Sequence, residues 1–375
     1  MTDFKLSYDD VSIVPERIST ISSRKECNPY IDGMLPIFAS PMDTVICKEN
    51  IEDFLNNHIN VVIPRTIDLS ERIALGEKHN CFFAVSIKEA ERIAEEGEGF
   101  IPDTYRIPMY SGRSYKICID IANGHMERLL NVCRRLKDES FPIHITLMTG
   151  NIANPETYVD YEEAGVDFIR VGIGGGSACL TASNTGIYVP YFSLLKEIYE
   201  IKKRIGGSAQ IIADGNIKAF RDIQKALIYA DYVMIGGLFN KAIESAGKTT
   251  YGKSYWNING NKIFRPIKTL FTYGREIPRK KFDKVFKDFK AGKLTIFKQY
   301  RGMSTKQAQQ NIDKNARLKT AEGKTFYQKV EYNLPGWVEN ETDYLRSAMS
   351  YTNSRNLEEY KESKHAVNMS VSYNR

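Results

Sequence analysis

No apolar run in the 375-residue chain approaches the roughly 20 residues that a membrane-spanning helix needs, so no helical span is expected. Cysteine is sparse and scattered: Cys27, Cys47, Cys81, Cys118, Cys133 and Cys179 form no C-x-x-C pair. This argues against a zinc site and against a disulfide framework, and most of these thiols are expected to be buried as small apolar groups. The N-terminal stretch "MTDFKLSYDDVSIVP" lacks the charged-then-apolar order of a secretory signal, which makes a cytoplasmic location the expectation. No internal repeat exceeds one strand–helix unit. A generally basic surface is lacking as well. The net charge is +6, yet residues 261–301 alone hold 13 Lys or Arg and 3 Asp or Glu, which leaves the remainder acidic.

What is present is a large apolar content, 42% hydrophobic against 26% charged, enough for a substantial core. Eight short apolar runs recur: "PIFAS" (36–40), "NVVIP" (60–64), "FFAVS" (82–86), "KICID" (116–120), "HITLM" (144–148), "DFIRV" (167–171), "QIIAD" (210–214) and "YVMIG" (232–236). Continuous hydrophobicity suits strands buried on both faces, as in a parallel sheet. Helical patterns lie between them, among them "IKEAERIAEEG", "HMERLLNVCRRLK", "YFSLLKEIYEIKKRI" and "NPETYVDYEEAG", the last with Asn-Pro at its start and Gly at its end. The pattern predicts an α/β chain, a (β/α)8 TIM barrel; an open doubly wound sheet is the alternative. Residues 1–375 read as one catalytic domain. Residues 245–300, rich in Lys, aromatics and Gly, read as an insertion after the eighth strand and before a last helix around "ETDYLRSAMSY". The terminal "NMSVSYNR" reads as a mobile tail. In such a barrel, functional groups belong just after strand ends. Those positions carry Asp43, Arg65, Asp120 with Asn123, Gly150 with Asn151, the glycine loop with Cys179, Asp214, and Gly236 with Gly237.

The sixth run ends in "VGIGGGSACLTASNTGIYVP", four glycines and then a cysteine. Such a loop exposes backbone groups that could cradle an anion or ring a cation. It lacks the G-x-G-x-x-G spacing, and no helix is expected to follow it directly. The whole string resembles the catalytic loop of the inosine monophosphate dehydrogenase and guanosine monophosphate reductase superfamily. The likeness extends to "LSYDDVSIVPERIS", "SPMDTV" (40–45), "ADGNI" (213–217), "VMIGGLF", "YRGMS" (300–304) and "SYTNSRNLEEYKE", all in the family's order.

The resemblance implies roles for individual residues. Cys179 would attack purine C2 and form a covalent adduct. Gly174, Gly176 and Cys179 would offer carbonyls to a monovalent cation, potassium. Asp214 would bind the ribose hydroxyls. Ser177, Gly236 and Gly237 would hold the 5′-phosphate, with Gly215 and Asn216 in the neighbouring nucleotide motif. Met303 and Ser304 would meet the base edge. Asp120, Asn123, Gly124 and Arg65 would lie on the cofactor side, for NADPH or NAD. The partners implied are a purine nucleoside monophosphate and copies of the chain in a homotetramer.

Four features resemble the reductase rather than the dehydrogenase: "DIANGH" (120–125); "TAEGKT" (320–325), in which Glu322 would pair with Thr181 to relay a proton to the departing amine; the short span between them and "GMS", with Arg317 its only arginine and Leu318 after it; and the lack of a regulatory CBS domain between strands two and three. "YRGM" and "SYTNSR" look more like dehydrogenase versions, so IMP dehydrogenase is the alternative. The chain departs from both at "IPRT" (63–66), where a His-Lys pair is usual, at Ala182, and at Asn216 in place of glycine. Phe282, Val285, Phe286 and Phe289 in "REIPRKKFDKVFKDFKAGK" (275–293) have helical spacing, and predict an amphipathic helix with its lysines in water. An anion-binding arm and nucleic-acid contact are its other readings, the latter weakly supported by one short arm. A barrel that binds nucleotide or nucleic acid without catalysis is the non-enzyme alternative.

Overall fold

The eight apolar runs become eight parallel strands that close on themselves. A computed structural model describes residues 5–100, 114–256, 262–270, 287–289, 291–292, 295–312, 320, 322–363 and 370–371. Its barrel strands are β1 (Ile37–Ala39), β2 (Asn60–Ile63), β3 (Phe82–Val85), β4 (Ser114–Ile119), β5 (His144–Ile152), β6 (Phe168–Val171), β7 (Gln210–Asp214) and β8 (Tyr232–Ile235). They pair in chain order, and β8 returns to β1 through Val233 opposite Ile37 and Ile235 opposite Ala39. This is the expected (β/α)8 barrel, and the closing pair excludes the open sheet.

Side chains on a strand alternate between faces. Phe38, Val62, Phe82, Ala84, Cys118, Met148, Ile212 and Met234 turn inward as one buried cluster. Their neighbours, such as Ile37, Val61, Phe83, Ile117 and Ile211, join the shell between sheet and helices. At one level the rings of Phe38, Phe82, Phe168 and Tyr232 meet with centroids 5.2–6.1 Å apart, so the barrel is filled rather than hollow. Two residues beyond the interior positions come Ser40, Ser86, Asp120, Arg170, Asp214 and Gly236. The period of two carries them to the same inward face, higher in the barrel, and there the apolar filling gives way to polar groups.

The helix Tyr191–Ile205 matches its sequence pattern end to end and stops at Gly206 in left-handed geometry (φ 67°), where glycine bears no steric cost. The sequence reading does not single out the helix Leu69–His79, because one of its core-facing residues is Arg72, whose charge breaks the apolar stripe. Arg72 is accommodated by Glu89 at 2.6 Å and by backbone carbonyls. The last long helix begins earlier than expected, at Leu334, behind an Asn333 cap that accepts from the Gly336 N–H.

Outside the barrel, β9 (Thr249–Trp256), β10 (Lys262–Leu270), β11 (Thr295–Arg301) and β12 (Thr325–Lys329) form an antiparallel sheet in the order β10-β9-β11-β12. The insertion expected over 245–300 thus opens with two paired strands. The helix expected over 275–293 lies outside the described residues, apart from a helical turn at 287–289. There Phe289 packs against Ile243, Ile296 and Val330. Arg317 and Leu318 also lie outside. The expectation of a mobile C-terminal tail is corrected in part: Ser370 and Val371 pair with Ser12 and Val11, whose backbone offers them an edge. Among the described residues, no helix is long and apolar enough to cross a membrane.

Behind the barrel, Glu341 is fully buried, and burial pushes its carboxyl well above the usual range despite a 3.1 Å bond from Gln224 Nε2. Gln224 Oε1 and Glu341 Oε2 are both buried with no donor facing them, and a proton retained on Glu341 supplies the one they lack. A carboxyl raised in the fold contributes stability that is full below its unfolded value, near 4.3, and lost as pH rises toward the folded one. Glu341→Gln keeps the pair and removes the titration. Its advantage over the parent in denaturant midpoint should therefore widen from pH 5 to pH 8, by up to about 1.4 kcal/mol per pH unit. A pH-independent difference would show that Glu341 is not held protonated.

Candidate active site

A cleft of about 490 Å³ opens at the C-terminal ends of the strands. Arg65, Asp120, Gly174, Gly176, Ser177, Cys179, Thr181, Asp214, Gly215, Asn216, Gly236, Gly237, Met303 and Ser304 all line it. These residues come from the ends of β2, β4, β6, β7 and β8, five of the βα connections, and from the segment after β11. Glu322 stands behind Thr181. Asn123 and Gly124 do not line the cleft. The Asn123 carboxamide accepts from the His125 N–H at 3.0 Å, and Gly124 is pinned by its N–H to the Asn151 carbonyl at 2.9 Å. Asp43 is also outside the lining and pairs with Arg301.

The cysteine loop is stitched to the segment that carries Glu322. The Leu180 N–H donates to the Glu322 carbonyl at 2.6 Å, the Lys324 N–H donates to the Ala178 carbonyl at 2.9 Å, and Cys179 forms a bridge with Gly323. This brings three side chains into a line: Cys179 Sγ donates to Thr181 Oγ1 at 3.3 Å, and Thr181 Oγ1 donates to Glu322 Oε2 at 2.6 Å. Cys179 is half-buried and faces the cleft. Burial pushes the thiols of Cys47, Cys81, Cys118 and Cys133 up to about 12, so these four stay protonated and inert at neutral pH. The expectation that no helix follows the loop is corrected: Thr181–Thr185 form one short turn of helix, closed by Thr185 Oγ1 on the Thr181 carbonyl and ended by Gly186 at φ 74°.

The loop glycines are explained by Tyr191 as much as by any ligand. A Cβ at Gly172 (φ 122°) would sit 2.1 Å from the Tyr191 ring, and one at Gly175 would sit 2.5 Å from it. The Tyr191 hydroxyl accepts from the Gly175 N–H at 3.1 Å. Gly172→Ala is therefore expected to cost about 1–3 kcal/mol and to displace the cysteine loop. Its denaturant midpoint and the alkylation rate of Cys179 should both change; an unaltered alkylation rate would dissociate the ring from the thiol's placement. Asn216 takes the left-handed geometry of a glycine (φ 58°), its N–H bonded to the Gly175 carbonyl at 3.1 Å, so the backbone path tolerates the substitution.

Across the mouth runs a ladder of charges. Arg65 Nε meets Asp120 Oδ2 at 3.1 Å, and Arg170 Nη1 meets Asp120 Oδ1 at 2.9 Å. The same guanidinium reaches Asp214 Oδ2 through Nε and Nη2, at 2.9 and 2.8 Å, where Asn151 Nδ2 also donates at 2.8 Å. Burial pushes the Asp120 carboxyl up, but Arg65 and Arg170 outweigh it and hold it below the usual range. Neither aspartate caps the following helix. Arg170 is the residue that the sequence reading misses; an arginine inside the apolar run "DFIRV" is the signal that could have found it. Tyr191, Tyr300 and Gln309 also line the cleft and carry no such signal.

At the opposite wall, a Cβ at Gly236 would lie 2.8 Å from both Met42 Sδ and the Tyr300 hydroxyl, and one at Gly237 would lie 2.9 Å from Ser177 Oγ. Burial pushes the Tyr300 phenol up while its bond with Ser177 pulls the other way. Among the described residues, no group of three or more His, Cys, Asp or Glu could hold a metal ion. The carbonyls of Gly174, Gly176 and Cys179 are hard oxygen donors of the kind a monovalent cation takes, although the Gly176 carbonyl already accepts from the Cys179 N–H at 2.9 Å.

Comparison with known proteins gives a consistent family. Residues 111–269 match the IMP dehydrogenase / GMP reductase domain. The GMP reductase of Shouchella clausii is 31% identical over 262 residues, which cover 66% of this chain and 74% of that one. The GMP reductase of Caenorhabditis elegans is 27% identical over 371 residues, 95% of this chain and 89% of its own. GMP reductase 1 of Mus musculus is 29% identical over 258 residues, covering 66% and 72%.

Proposed function

Because this chain belongs to the IMP dehydrogenase and GMP reductase family of oxidoreductases, we propose that it reduces GMP with NADPH, releasing IMP, ammonia and NADP. The observation that carries this reading is the line from Cys179 Sγ through Thr181 Oγ1 to Glu322 Oε2 at the edge of a nucleotide-sized cleft.

The direction of those two bonds sets the chemistry. The thiol proton passes to Thr181 as the Thr181 proton passes to Glu322, which frees a thiolate for attack on purine C2. The ring nitrogen N3 takes a proton from solvent, the one net proton the reaction consumes, as the C2 adduct forms. Glu322 then returns its proton through Thr181 to the 2-amino group, and ammonia leaves as the C–N bond breaks; an unprotonated amide ion would not depart. NADPH, when bound, would supply the hydride that converts C2 to its C–H state; as the C–S bond then breaks, N3 gives up its proton to the sulfur, which restores the thiol and leaves IMP. Asp214, with the ladder's bonds gathered on Oδ2, offers Oδ1 to the ribose hydroxyls. Ser177, Gly236 and Gly237 hold the 5′-phosphate, Gly215 and Asn216 shape the turn beside it, and Met303 and Ser304 face the base. Arg65 and Asp120 border the cofactor side; Asn123 and Gly124, which lie beyond the cleft's lining, act there only by supporting its wall. A potassium ion on the carbonyls of Gly174, Gly176 and Cys179 would stiffen the loop.

The test is absorbance at the reduced nicotinamide band. GMP with NADPH should lose absorbance and release ammonia, while IMP with NAD should gain none. A gain in the second mixture would make the chain a dehydrogenase, and no change in either would remove this substrate assignment.

A further inference from the structure

We propose that the ion pair between Asp43 and Arg301 is the positioning element that fixes the Met303–Ser304 wall against the cysteine loop, an inference that rests on reading the cleft as a purine nucleotide site. Neither charged group reaches the cleft. Their side chains are only 12% and 6% exposed, and Arg301 meets Asp43 with two donors on two oxygens, Nε on Oδ1 at 3.3 Å and Nη2 on Oδ2. With its amide turned to suit its neighbours, Asn311 accepts from the same Nη2 at 2.7 Å. A two-donor fork fixes direction as well as distance, which a single ammonium cannot.

That direction matters because of where Arg301 stands. It is the last residue of β11, a strand held at the barrel mouth by the buried Ile296 and Tyr300 and by polar bonds. Lys298 Nζ donates to the carbonyls of Ile243, at 2.6 Å, and Ser245, while Asn240 Nδ2 joins the carbonyls of Thr44 and Gln299 at 2.8 and 3.0 Å. Directly after it comes Gly302. A Cβ there would lie 2.8 Å from the Ala178 carbonyl and 3.3 Å from Gly323 Cα, so the cysteine loop, the Glu322 segment and the end of β11 meet with no room to slide. Met303 and Ser304 follow as lining, with the Met303 carbonyl held by Gln309 Nε2 at 2.6 Å. On the other side of the pair, Ser40, Pro41 and Met42 lead into Asp43 and line the same cleft. The pair therefore staples two walls together from outside: the loop after β1 and the wall that faces the base. The proposed phosphate donors Ser177, Gly236 and Gly237 stand on the loops after β6 and β8; Met42 and Tyr300 touch them from the two stapled walls, but the donors themselves are carried by neither wall.

The two ends of the ligand can be weighed separately. Calorimetric affinities for GMP and for ribose 5-phosphate, together with denaturant midpoints, would be measured for the parent, Arg301→Lys, Asp43→Asn and the exchange Asp43→Arg with Arg301→Asp. Each single variant should weaken GMP by about ten-fold or more and leave ribose 5-phosphate within about two-fold. The exchange should recover part of the GMP affinity. Unchanged GMP affinity in the single variants overturns the proposal. So does equal weakening of both ligands with a lowered midpoint, the mark of a merely structural pair. Should Asp43→Asn fail to fold, Arg301→Lys, which keeps the charge, decides alone. A parent that binds ribose 5-phosphate but not GMP would instead refute the nucleotide reading, and this inference with it.

Discussion

Cys179→Ala should lower turnover by at least about a thousand-fold while leaving GMP affinity within about three-fold. The asymmetry follows from what the sulfur touches. Its bond is to Thr181, and the loop's shape is held by backbone bonds from Leu180 and Lys324 and by the Tyr191 ring, none of which needs the thiol. Alanine removes the nucleophile and keeps the scaffold. The measurement is steady-state absorbance beside calorimetric binding of GMP to the variant. Persistent turnover would exclude a covalent adduct at Cys179, and lost binding would show that the thiol shapes the cleft rather than attacks within it.

Arg170→Leu should be the most damaging change to stability, about 3–5 kcal/mol at pH 7, because it leaves the buried Asp120 and the partly buried Asp214 facing each other without the guanidinium between them. The pH dependence has a definite sign. Asp120 is lowered in the fold, so its contribution is present above its unfolded value, near 3.9, and is lost as pH falls through the folded one. Without Arg170 that contribution shrinks. The gap between variant and parent should thus be widest at pH 7 and narrow toward pH 4, where protonation relieves the repulsion. Denaturant midpoints at the two pH values test it; a gap below about 1 kcal/mol at pH 7 would mean that solvent rather than Arg170 compensates the aspartates. Nucleotide binding should fail alongside, since Asp214 takes its orientation from the same side chain.

Much of this was legible in advance for a simple reason. A strand buried on both faces must be apolar throughout, and eight such runs separated by helical patterns leave few ways to close a sheet. The alternation of faces even places Ser40, Asp120, Asp214 and Gly236 at the mouth, two residues beyond apolar interior positions. Cys179 was singled out by the resemblance of its whole loop to the family's catalytic string, since the glycines alone were weak evidence. Elements whose local chemistry is mixed were hidden: the helix at Leu69–His79, with an arginine turned to the core, and the strand pair Thr249–Trp256 and Lys262–Leu270, whose sequences mix polar, basic and apolar residues.

The eight apolar runs that become strands, the alternation of faces along each and the loop that presents the thiol are properties of the sequence alone, because each depends on residues adjacent along the chain. The tertiary structure alone decided that Arg170 lies between Asp120 and Asp214, that Tyr191 supports the glycine loop, and that Glu322 meets Thr181 from 141 positions away. Those choices depend on which groups closure of the barrel brings within about 3 Å of one another, and a hydrogen bond or an ion pair has no reach beyond that distance by which local sequence could foretell it.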